Sequence, residues 1–277
     1  MSELCGGTIG SGAMERTPDP DQLVFFLGGR DLEMETIRQL LEAHAPGRVV
    51  DAGLGWGARA SAYREQILQA LGEGRRPVLV ELDDDLGRDE PRLVWIDHHG
   101  ARSGASKPTA LEQVFEMLNL PGDGWSRWYE LVAANDRAYL SGLAEQGASS
   151  EEMREIRAAD RRAQGVASDE EAAAAEAAQC LEERCGGQLT VASLPHARTS
   201  PLVDRLAPEL GGPGFETLVV RSPAEVNVFG PGEVIEHLAA QFPEGWYGGN
   251  LPEHGYFGQA GEADAVIETL EAFLDED

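Results

Sequence analysis

Short apolar runs, each closed by glycine or an acidic residue, alternate along the first half of the chain with stretches whose apolar residues recur at helical spacing. Leu23-Val24-Phe25-Phe26-Leu27 is a continuous apolar run ending in Gly28-Gly29, as a strand buried on both faces would be. Further strands are predicted over 48–51, 77–82 and 92–96, with helices over 34–44 and 60–71 between the first three. Helical patterning resumes over 109–119, 125–145 and 151–162. Strands that alternate with helices in this way predict an α/β fold, a mostly parallel sheet with helices on both faces.

The composition changes around 165–169, and an Ala/Glu-rich helical stretch follows. A second, smaller α/β domain is predicted beyond it, with strands over 189–194, 217–221 and 225–229. Helices are expected over 200–206, 234–241 and 262–274, and a glycine-rich loop over 246–261. The domain reading is a disordered tail over 1–20, a first domain over 21–165, a helical linker over 166–186 and a second domain over 187–277.

The net charge is −27, the sequence pI is about 4.5, and Lys107 is the only lysine. Long duplex nucleic acid needs basic contacts to displace its counterions, so this surface argues against it as a partner. A small phosphorylated substrate stays compatible, because a bound divalent cation reverses the local field. No apolar run nears the ~20 residues that span a bilayer, so no membrane partner is expected. The first residues lack the basic and apolar regions of a secretory signal. Three cysteines, Cys5, Cys180 and Cys185, form no disulfide framework, and a reducing cytoplasm is expected.

Candidate chemistry collects at the carboxyl ends of the predicted strands, where open α/β sheets bind ligands. Asp31 and Glu33 follow the first strand, Asp51 the second, Glu81 and Asp83 the third, and Asp97-His98-His99 the fourth. In an extended segment, Asp31 and Glu33 would point the same way and share a cation. Glu81 and Asp83 repeat that spacing, and Asp136 lies in a later helix. Carboxylates with imidazole suit manganese, with magnesium as the alternative. Two such ions about 3.5–4 Å apart would grip a phosphoryl oxygen and activate water. Asp97 is placed to orient a neighbouring histidine.

The triplet Asp97-His98-His99 resembles the signature of the DHH phosphoesterase family, which includes RecJ-type exonucleases, oligoribonucleases and manganese pyrophosphatases. The family's first motif, His-x-x-x-Asp-x-Asp, is matched by Leu27 to Glu33, with Leu27 in place of the histidine. The resemblance implies that Asp31, Glu33, Glu81 or Asp83, His98 and Asp136 hold the metal. It also implies that His99 faces the substrate. The family's Gly-Gly-Gly-His signature has only separated pieces here, Gly248-Gly249 and His254-Gly255. Those residues, with Arg198 as a phosphate grip, are the candidate substrate contacts. The implied activity is metal-dependent hydrolysis of a phosphodiester or phosphoanhydride, with a homodimer left open.

Two other readings compete. A DHH-like fold with its metals lost would serve as a nucleotide-binding or scaffold protein. Asp51-Ala52-Gly53-Leu54-Gly55-Trp56-Gly57 instead resembles the glycine-rich motif of methyltransferases that use S-adenosylmethionine, although the next strand-end acid, Glu81, lies far downstream.

Overall fold

The computed structural model describes residues 20–87, 90–98 and 107–275. The expected tail over 1–20, Pro20 excepted, and His99 lie outside the described residues.

The first sheet has four parallel strands in the order β2-β1-β3-β4. They are β1 (Leu23–Leu27), β2 (Val49–Val50), β3 (Arg76–Val80) and β4 (Val94–Ile96). All five residues of β1 are buried, which is why the run is uniformly apolar. Leu23, Phe25 and Leu27 face the core formed with α1 (Leu32–His44), α3 (Ala110–Met117), α4 (Arg127–Glu145) and α5 (Ser150–Ala163). Val24 and Phe26 face the opposite core, which holds Tyr63 and α2 (Arg64–Gly72). The chain leaves β1 toward β2 and leaves β3 toward β4, so strand order reverses between β1 and β3. Crevices at such a reversal are where open sheets place ligands.

The second sheet has six strands, in the order β5-β6-β7-β8-β10-β9, and is mixed. They are β5 (Glu182–Arg184), β6 (Leu189–Ser193), β7 (Thr217–Arg221), β8 (Glu225–Pro231), β9 (Trp246–Asn250) and β10 (His254–Ala260). Only β6 and β7 pair in parallel. The remaining helices, α6 (Ser168–Ala177), α7 (Ser200–Leu206), α8 (Gly232–Gln241) and α9 (Ala263–Leu274), cover its two faces.

Three local expectations change. The stretch over 246–261 is a hairpin rather than a loop, because Tyr256 and Phe257 pair in register across β8 to Phe229 and Val228. The Ala/Glu-rich stretch ends its helix at Ala177, and β5 already joins the sheet against β6. Finally, α1 begins at Leu32, so Asp31 and Glu33 do not share an extended segment. Asp31 is the N-cap, accepting a hydrogen bond from Met34 N at 2.8 Å, and Glu33 lies in the first helical turn.

Candidate metal centre

Glu33 comes from the first turn of α1, Glu81 from the residue after β3, and Asp136 from α4. One carboxylate oxygen from each lies within 4.8 Å of the others. Glu33 is 2% exposed and receives a 2.8 Å hydrogen bond from Leu111 N, in the first turn of α3. Thr109 caps that helix, and Glu112 closes the capping box. Helix α3 thus turns its N-terminal donors and positive dipole end toward Glu33. The Leu111 donor serves Oε1; Glu33 Oε2 has no hydrogen-bond donor among the described residues.

His98 lies at the edge of this group, beside Asp136. It is 4% exposed, and its Nε2 lies 2.9 Å from Asp136 Oδ2. Arg137, next along α4, sends its guanidinium instead to Glu112, with Nη2 2.5 Å from Oε2.

The electrostatic consequence is large. Burial, then repulsion from Glu81, pushes the Glu33 carboxyl up to about 8 from the ordinary 4.5. Burial, then repulsion from Glu33 and Glu81, holds the Asp136 carboxyl well above its usual range. Carboxylates this close and this dry are stable only if they share protons or a cation. Oxygens bound to one hard cation at 2.0–2.6 Å fall within about 4–5 Å of each other. The three carboxylates therefore fit a divalent ion such as manganese or magnesium, and the His98 imidazole beside Asp136 is a donor of compatible chemistry.

Two backbone features hold these acids. Glu81 has φ 50°, a left-handed conformation that costs a non-glycine residue roughly 1 kcal/mol or more. Gly28 makes room for it: a Cβ there would lie 2.2 Å from Glu81 O. Two residues past Asp136, α4 is interrupted at Ala138 and Tyr139, the latter at φ 53°.

Beneath the cluster runs a buried polar network that sequence reading missed. Arg157 Nη1 donates to Asp160 Oδ2 at 2.6 Å and to Asn135 Oδ1, beside Asp136, at 2.9 Å. Arg157 Nε donates to Asp204 Oδ1 of α7 at 3.0 Å, and Arg161 and the Tyr139 hydroxyl donate to the same carboxylate. Asp160 in turn accepts from Leu32 N, at the start of α1. Apart from Arg157 and Asp160, one helical turn apart, the partners lie 22 to 128 residues apart, and their residue types carry no signal of who meets whom.

The other candidates are not members of the three-acid group. Asp31 acts on Glu33 and Asp136 through its charge while capping α1. Asp83 is exposed, its backbone tied to Ala58 and Ala60. Asp51 is exposed and accepts from Gly53 N at 2.7 Å. The Asp97 carbonyl accepts a 3.4 Å hydrogen bond from Gln113 Nε2. Leu27 is fully buried in the core. The glycine-rich turn after Asp51 follows β2, the edge strand beside β1, and packs against the loop that follows β1.

In the second domain, Gly249 pairs with Gly255, Gly248 with Tyr256 and His254 with Asn250. The hairpin thus brings the separated Gly-Gly and His-Gly pieces into register. Arg198 is exposed, with Nη1 2.5 Å from Gln164 O and Nε 3.3 Å from Glu170. Any grip on phosphate by Arg198 has to compete with both.

No family model and no curated protein matches the chain. Among solved structures, it is similar to the DHH domain of a member of a family of ribosomal proteins. That match has a TM-score of 0.56 at 12% identity and covers 93% of this chain and 88% of the other. RecJ from Thermus thermophilus in complex with Mn2+ gives a TM-score of 0.50 at 15% identity, over 93% of this chain and 52% of that one. An exopolyphosphatase-related protein from Bacteroides fragilis gives 0.49 at 12% identity, over 92% of each chain.

Proposed function

We propose that this chain, which has the DHH-domain fold, is a divalent-metal-dependent phosphoesterase acting on a nucleotide, a short oligonucleotide or a similarly small phosphorylated substrate. The observation that carries this reading is the trio of buried Glu33 and half-buried Glu81 and Asp136, which has His98 at its edge and Arg137 turned away to Glu112. A metal in the RecJ complex of the same fold is consistent with it.

A bound cation supplies Lewis-acid charge to a phosphoryl group. The chain's own residues do the rest. Glu33, Glu81, Asp136 and His98 hold the ion, and the α3 N-terminus fixes the Glu33 carboxylate so that it does not have to reorganise. Asp31 adds negative charge from its capping position. His99 is the proposed substrate-facing group, and Asp97 its orienting partner. From the second domain, Gly248, Gly249, His254 and Gly255 would present substrate contacts. Strand β9 is an edge strand, so its outward backbone groups are not used by the sheet. Leu27 offers no ligand, and the four donors together suit one ion.

The test is phosphodiester and pyrophosphate hydrolysis with and without manganese, in the wild type and in Asp136→Asn. The expected outcome is manganese-dependent turnover that the variant lowers at least a hundredfold. Metal-independent turnover, or a variant as active as wild type, overturns the assignment. Because Leu27 replaces the motif histidine, a metal-free scaffold is the second reading. It is favoured if neither metal uptake nor turnover is found.

A further inference from the structure

The loops that follow β1 and β2 interlock beside the acid cluster. Gly28 lies against the Glu81 backbone, and Gly29, the next residue, lies against the second loop. A Cβ on Gly29 would sit 2.8 Å from Gly55 O and 3.1 Å from Trp56 Cα. Arg30 N donates to Leu54 O at 3.2 Å, and the Arg30 guanidinium rests over Gly53, 3.0 Å from where a Cβ would be. With a Cα step of ~3.8 Å, these contacts put Trp56 Cα within about 12 Å of the Glu81 carbonyl. The backbone leading to Trp56 is therefore held against the loop after β1, yet its indole is 79% exposed, the most open of the large apolar side chains among the described residues. Arg30, also exposed, immediately precedes Asp31.

A single exposed apolar side chain is ordinary on a protein surface. This one differs in its position. An exposed aromatic face and an exposed guanidinium are carried by two contacting loops at the carboxyl edge of the sheet, with the Trp56 backbone within about 12 Å of that of Glu81. An aromatic face binds a nucleobase by stacking, whatever its sequence, and arginine binds phosphate through its planar fork. Inorganic pyrophosphate has no group for the indole.

We infer that Trp56 and Arg30 form a nucleotide subsite, with a base stacked on the Trp56 indole and a phosphate met by Arg30, so that the substrate carries a nucleobase. This rests on the phosphoesterase reading for the neighbouring metal site, but the stacking itself does not require metal.

The experiment is calorimetric titration of wild type, Trp56→Ala, Trp56→Phe and Arg30→Ala, in manganese, with a 5′-phosphorylated dinucleotide and with pyrophosphate. Trp56→Ala should weaken dinucleotide binding about tenfold or more, the usual scale of one stacked base. That loss should exceed the loss for pyrophosphate at least fivefold, and Trp56→Phe should restore most of it. Arg30→Ala should weaken both ligands. Equal losses for both ligands in Trp56→Ala, unchanged dinucleotide binding, or a wild type that binds no dinucleotide overturns the subsite. Manganese uptake is measured separately on the wild type. Uptake with no nucleotide binding removes the subsite and leaves the phosphoesterase reading. Nucleotide binding that depends on Trp56 without manganese uptake does the reverse.

Discussion

Glu33 concentrates the physical tension of the site. Its carboxyl is pushed up to about 8 by burial and by Glu81, against 4.5 when the chain is unfolded. Between those values the folded, metal-free protein binds the extra proton. Its stability is therefore fully present below about 4.5 and is lost as the pH rises through about 8. A cation takes the proton's place, so uptake releases protons and apparent affinity rises across the same window. Thermal melts from pH 5 to pH 8.5, with and without manganese, should diverge as the pH rises; parallel curves would remove Glu33 from the ligand set. Asp136 makes the complementary prediction. Asp136→Asn relieves repulsion in the metal-free protein, so its melting temperature at pH 8 should hold or rise while manganese affinity falls at least tenfold. Loss of a merely supporting partner already costs about 10–100-fold. A variant that loses stability but keeps its metal would make Asp136 structural.

Elements set where these acids meet. Strands β1 and β3 deliver Glu33 and Glu81 at the strand reversal, while Gly28 lets the Glu81 turn close. Helix α4 supplies Asp136 just before its interruption, and Tyr139 leaves that interruption to reach Asp204 on α7. Arg157 is thus the hinge pin between the metal-bearing helices and the second domain. Asp204→Ala would leave Arg157 and Arg161 short of a buried counter-charge. It should cost roughly 3 kcal/mol, the lower end for such a break because Asp160 remains. Chemical denaturation measures it, and a loss below about 1 kcal/mol would mean that water replaces the carboxylate. This network was not legible in the sequence. Strand β1 was, because burial on both faces leaves an uninterrupted apolar run. The carboxyl ends of the parallel strands were legible too, but not which acids there would meet: Glu81 joins the group, whereas Asp51 and Asp83 are exposed outside it. The β9–β10 hairpin was not, because glycines carry no alternation, and neither was the short polar β5. The Asp31–Glu33 geometry was misjudged because Asp31 reads equally as a strand-end ligand and as an N-cap; the structure uses it as the cap.

At the scale of the whole molecule, the acidic surface and the acidic centre are separate matters. Most of the 49 acidic residues contribute to the net charge of −27 and need no cation. Three of them are brought together by α1, α4 and the residue after β3, and only those create a site. Among the described residues, no helix is long and apolar enough to cross a membrane. This trio with His98 is proposed to hold a divalent ion. The most direct measurement is an anomalous-scattering map from crystals soaked in manganese. A single peak bounded by Glu33, Glu81, Asp136 and His98 is the predicted result, with no comparable peak at the exposed Asp51 or Asp83. A map with no peak at those four residues, at manganese concentrations that populate other sites, would contradict it.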